Sequence, residues 1–166
     1  MECVLGIVGK GYAIVAADTS AVHSILLHKN NEDKIMLLDS HKLVAASGEP
    51  GDRYFPDSDS VNILMAGYDN ESGASLYYID YIATLYKVDK GAFGYGSYFS
   101  LSTMDRHYRS DMSVEEAIEL VDKCILEIRS RLVVAPPNFV IKIVDKDGAR
   151  DYAWRQSVQD VTTAAV

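Results

Sequence analysis

Cysteine is scarce in this chain. Its two copies, Cys3 and Cys124, lie far apart in the 166 residues. They outline no disulfide framework, so a reduced, soluble, intracellular protein is expected. Basic residues are also in deficit, 16 Lys and Arg against 24 Asp and Glu, for a formal charge of −8 and a pI near 4.9. Phosphate recognition needs a basic face; here the cations are scattered among acids, which argues against nucleic acid as a partner. No apolar run approaches the roughly 20 residues that span a bilayer, so no membrane segment is expected. The start lacks a basic stretch followed by an apolar one, so no signal peptide is expected either. The four histidines, His23, His28, His41 and His107, lack metal-ligand spacing such as HExxH, and no metal or cofactor is expected. The glycines Gly91, Gly94 and Gly96 lack the strand–GxGxxG–helix context of a nucleotide site.

What is present is a 48% hydrophobic chain of one-domain length. Cys3 to Val8 and Tyr12 to Ala17 flank a Gly-Lys-Gly turn and read as a hairpin buried on both faces. Ser24 to His28, Lys34 to Leu38 and Lys42 to Ser47 read as short strands. RYFPDSDS, residues 53–60, reads as a connector. Its Asp57 and Asp59 lack the other ligands of a calcium loop. Val61 to Gly67, Ala74 to Tyr81 and Ala83 to Val88 read as strands, rich in aromatic and β-branched residues. Ser97 to His107 is a moderately periodic helix. Ser113 to Leu132 is the clearest element. Ser113 and Glu116 form a capping box. Val114, Ala117, Ile118, Val121, Ile125, Ile128 and Leu132 make one apolar stripe. Pro136 and Pro137 end the helical region. Phe139 to Val144 and Ala149 to Trp154 form a last hairpin. Arg155 to Val166 reads as a tail, so the domain is placed at residues 1–154. Strands, helices, then strands again indicate an α+β class.

An N-terminal hairpin ending in Asp18, Lys34 sixteen residues on and Gly48 beyond the next strand resemble the front half of a proteasome β-type subunit. The motifs EDKI, SGEPGD, NILMAGYD, LYYIDY, GYGSYFSLSTMDRHY, MSVEEAIEL and IVDKDG extend that resemblance over nearly the whole chain, to a non-catalytic eukaryotic branch of the family. The resemblance implies an N-terminal-nucleophile hydrolase sandwich of two antiparallel sheets with flanking helices. It implies, as partners, other α and β subunits of the proteasome core particle in stacked seven-membered rings. It further implies a part in ATP- and ubiquitin-dependent degradation, in cytoplasm and nucleus. One departure is large. After SGEPGD the family continues into two helices, and here only residues 53–60 intervene. One helical layer is therefore expected to be largely missing, through an internal deletion after Asp52.

In active members of this family an N-terminal threonine attacks the peptide carbonyl. Counted from Asp18 and Lys34, the nucleophile position falls on Glu2, whose carboxylate cannot act as that hydroxyl. Tyr95 stands where the family has an accessory serine, and Val133 to Pro137 replace its acidic Asp-x-x-Ser-Gly stretch. Glu2, Asp18, Lys34 and Tyr95 are thus read as vestigial positions, with Asp18 and Lys34 kept as a buried ion pair. Two alternatives stay open. One is an autonomous hydrolase using Cys3 after processing, although Cys3 is one residue out of register and so points to the opposite strand face. The other is a truncated isoform that does not assemble.

Overall fold

The computed structural model describes residues 2–23, 26–47 and 61–157. Their strands build two five-stranded antiparallel sheets and a small hairpin. The first sheet has the order β10-β1-β2-β11-β12, from Lys90–Gly94, Cys3–Gly9, Tyr12–Asp18, Phe139–Asp145 and Gly148–Arg155. The second has the order β5-β6-β7-β8-β9, from Ile35–Asp39, Lys42–Ser47, Asn62–Asp69, Gly73–Ile79 and Leu85–Val88. The hairpin pairs β3, Ala21–His23, with β4, Leu26–Lys29. Both helices, α1 (Ser97–His107) and α2 (Val114–Arg131), lie against the first sheet.

The first sheet is therefore the middle layer, and this explains its composition. Alternate side chains of one strand enter two different cores. Cys3, Leu5 and Ile7 join Ile14, Ala16, Ile141 and the inward face of α2. Val4 and Val8 join Ala13, Val15, Val140 and the inner residues of the second sheet. Every residue of β2 is buried, which is why its sequence is apolar without alternation. The two sheets meet closely where side chains vanish. Gly6 pairs with Gly91, and a Cβ on either would come within 3.2 or 3.1 Å of Leu64. Two glycines side by side thus make the hole that the opposing leucine fills.

Helix α2 carries the expected capping box. Ser113 accepts from the Glu116 amide, and the Glu116 carboxylate accepts from the Ser113 amide. Its buried face holds Ala117, Ile118, Leu120, Val121, Cys124, Ile125 and Ile128. Val114 and Leu132 are only partly buried, and Leu120 and Cys124 widen the stripe beyond the residues anticipated.

Several expectations need correction. The strand expected at Ser24 to His28 is seen as β4, Leu26–Lys29, with residues 24–25 outside the described part, and β3, Ala21–His23, was not anticipated. The strand expected from Ala83 starts at Leu85, because Ala83 has φ +62° and belongs to a turn organised by the Asp80 carboxylate. Strand β10 was not anticipated, since its glycines read as punctuation. Arg155, assigned to the tail, closes β12 and donates to both carboxylate oxygens of Asp122, at 2.7 and 3.1 Å. The 53–60 connector and residues 158–166 lie outside the described part.

Candidate functional site

The end of β2 delivers Asp18 to the middle of the protein with no solvent exposure. Its Oδ1 accepts from the Cys3 amide at 2.8 Å, and its Oδ2 from the Ser20 amide at 3.0 Å. Lys34 completes the set, its Nζ lying 3.1 and 3.0 Å from the two oxygens. Lys34 is itself 2% exposed. A buried carboxylate held by an ammonium and two amides has its hydrogen-bonding capacity well used.

Glu2 is the next neighbour, with Oε1 3.8 Å from Lys34 Nζ. Glu2, which the resemblance sets at the nucleophile position, thus brings a carboxylate to the lysine. Cys3 does the reverse. It is 1% exposed and packs into the core between the first sheet and α2. Burial, followed by the negative charge of Asp18, pushes its thiol up to about 12. At neutral pH Cys3 is protonated and shielded from a substrate, which disfavours it as a nucleophile.

The glycine segment serves the same corner sterically. Gly94 pairs with Cys3 and has φ +73°. A Cβ on Gly94 would collide with the Glu2 carbonyl oxygen, and one on Gly96 would approach Cys3 Sγ to 2.6 Å. Tyr95 between them turns outward and is exposed. The structure therefore joins Glu2, Asp18 and Lys34 and leaves Tyr95 outside.

The residues that hold the Lys34 loop in place escaped the sequence reading. Lys142 of β11 lies opposite a register shift in which Tyr152 is the extra residue of β12, and its ammonium pairs with Asp33, next to Lys34, and with Asp151. A lysine within the apolar run FVIKIVD was the available signal. Buried Thr19 donates to the Asn30 carbonyl at 2.6 Å, and the Asn138 side chain reaches the same oxygen at 3.1 Å. These bonds fix the loop that presents Lys34.

The chain matches the protein family described as proteasome subunit, over residues 1–55 and 53–144. It is 74% identical over 204 positions to proteasome subunit beta type-2-A of Arabidopsis thaliana, covering all of both chains. It is 57% identical to proteasome subunit beta type-2 of Oryza sativa, covering 99% of this chain and 96% of that one. Identity to the Dictyostelium discoideum proteasome subunit beta type-2 is 34%, with 90% and 96% covered. The Arabidopsis alignment leaves 38 positions (204 − 166) facing no residue here. The family match is itself divided at residues 53–55, beside the shortened connector. On the fold, the matched residues and these identities, the chain belongs to the proteasome subunit family.

Proposed function

We propose that this chain is a non-catalytic, structural β subunit of the proteasome core particle. In this reading it completes a β ring with other α and β subunits, and so supports ATP- and ubiquitin-dependent protein degradation in cytoplasm and nucleus. The observation that carries the non-catalytic part is Glu2. The resemblance sets it at the nucleophile position, and its carboxylate lies beside the Asp18–Lys34 pair. A carboxylate at 3.8 Å from a lysine is attracted to it and has no proton for that lysine to accept. The deciding experiment is co-expression with the remaining subunits, purification of core particles and mass spectrometry for a peptide containing Arg53-Tyr54-Phe55. Its recovery inside closed particles supports the reading, and its absence overturns it.

A second reading is favoured by one specific observation. The outer face of the second sheet carries the cross-strand row Met36, Val44, Met65 and Tyr77, and beside it the row Ala46, Ile63, Ile79 and Leu85. Among the described residues no helix covers these rows, and Met36 and Leu85 are exposed. A face without a covering helix supports the reading of a truncated isoform that does not assemble. The same experiment separates the two readings.

A further inference from the structure

The sulfur of the described residues is divided between two places. Cys3, Cys124, Met104 and Met112 lie in the core between the first sheet and the helices. Met104 is 0% and Met112 6% exposed, and the Met112 sulfur accepts from the Arg109 amide at 3.4 Å. Met36 and Met65 are the two sulfur side chains outside that core among the described residues. The register sets Met36 opposite Val44, Val44 opposite Met65 and Met65 opposite Tyr77. The alternate residues Leu43, Ala45, Leu64 and Leu76 fill the core between the sheets, so this row points outward. Among the described residues no helix covers it. Met36 is 37% exposed and Met65 is half-buried.

We propose that Met36 and Met65 form a paired oxidation site, at which a peroxide turns the outer face of the second sheet from apolar to polar and a sulfoxide reductase turns it back. The proposal goes beyond the ring-subunit reading and does not depend on it, because it concerns the chain's own surface. The sulfur lone pair attacks one peroxide oxygen and the O–O bond breaks. A proton passes from the transferred oxygen to the departing hydroxide, so the thioether becomes a sulfoxide while the peroxide is reduced to water. The oxidant must reach the sulfur, and exposure therefore selects Met36 and Met65 over the two buried methionines. The thiols do not compete, because Cys3 and Cys124 are buried and hold their protons. Each sulfoxide sets a strong hydrogen-bond acceptor in a row otherwise made of Val44 and the Tyr77 ring. Direct cross-strand neighbours interact, so Val44 meets the change from both sides. Reduction by a dithiol-driven reductase removes the oxygen as water and restores the apolar row.

Dilute hydrogen peroxide applied to the full folded chain tests this, with peptide mass spectrometry locating each added oxygen. Met36 and Met65 should oxidise about tenfold faster, or more, than Met104 and Met112, and in urea the four rates should converge. Fluorescence of the apolar probe anilinonaphthalene sulfonate should fall about twofold on oxidation, as the exposed apolar patch shrinks. It should recover when methionine sulfoxide reductases for both epimers act with a dithiol. The double variant Met36→Leu, Met65→Leu keeps the row apolar at nearly constant volume. Its probe fluorescence should match that of the parent chain and stay constant in peroxide. Oxidation of Met36 and Met65 no faster than that of Met104 and Met112 overturns the proposal. So does selective oxidation that leaves probe fluorescence unchanged, or an equal fall in the double variant.

Discussion

Removing Asp18 from water costs several kcal/mol, and its partners must repay that through close contacts. Two amides and the Lys34 ammonium do so. Lys34→Met would leave a buried carboxylate with amide donors alone. Loss of about 3–5 kcal/mol is expected, read by urea denaturation. The double variant Asp18→Asn, Lys34→Met should lose less than the sum of the singles, since no unpaired charge remains. A double-mutant cycle that proved additive would show that the pair is not coupled.

The two buried thiols make a second prediction at this scale. Burial raises both Cys3 and Cys124 from 9.0 to about 12, with Asp18 adding to the first and Glu127 to the second. In the unfolded chain they ionise near their ordinary value, and in the folded chain they hold their protons. Above pH 9 the folded state therefore binds more protons than the unfolded state, and stability falls as pH rises. The slope is about 1 kcal/mol per pH unit for each thiol up to pH 12, with the full contribution present below 9. Replacing both cysteines by alanine should flatten that part of the stability–pH curve. Neither thiol should react with a thiol reagent until the protein is unfolded.

Among the elements, α2 is the one whose local and tertiary signals agree. Ser113→Ala removes an observed cap bond and should cost about 1 kcal/mol. Ile125→Ala opens a cavity beneath the helix and should cost about 2–5 kcal/mol. Glu119→Ala, on the exposed face, should change stability by less than about 0.5 kcal/mol. Thermal unfolding of the three variants checks the order. Equal effects at Ile125 and Glu119 would mean the buried face is wrongly placed. Strand β10 illustrates the opposite case. Its KGAFG sequence has little strand propensity, yet Gly91 and Gly94 are what let it lie against β1 beneath the Leu64 side chain and beside the Glu2 backbone.

For the molecule as a whole, the consequential feature is the unequal covering of its two outer faces. Among the described residues the first sheet is roofed by α1 and α2, while no helix covers the outer face of the second, where Met36 and Leu85 are exposed. Exposed apolar patches of this kind promote association. The isolated chain should elute as oligomers on sizing. Inserting the connector of the Arabidopsis relative after Asp52 should shift it to monomer and raise its share in co-expressed particles. Unchanged elution would show that the outer face is not the cause. Fluorogenic peptide turnover by the isolated chain is expected to be absent, and activity abolished by Cys3→Ala would reverse that conclusion.

What the sequence by itself determined lies where the physics is local. The α2 box and stripe, the β1–β2 hairpin and the α+β class follow from capping, 3.6-residue spacing and turn chemistry, each complete within a short stretch. That the resemblance sets a carboxylate, Glu2, where active members carry a hydroxyl was also legible, because that reading needs only residue type and register. The tertiary structure alone decided the rest. It brought Lys142 to Asp33, seated Gly94 against Glu2, and turned β10 from apparent turn residues into a strand. It also set Met36 and Met65 in one cross-strand row. Those relations join residues distant in the chain. Side-chain reach and the layering of two sheets and one helical layer set them, and no local pattern records either.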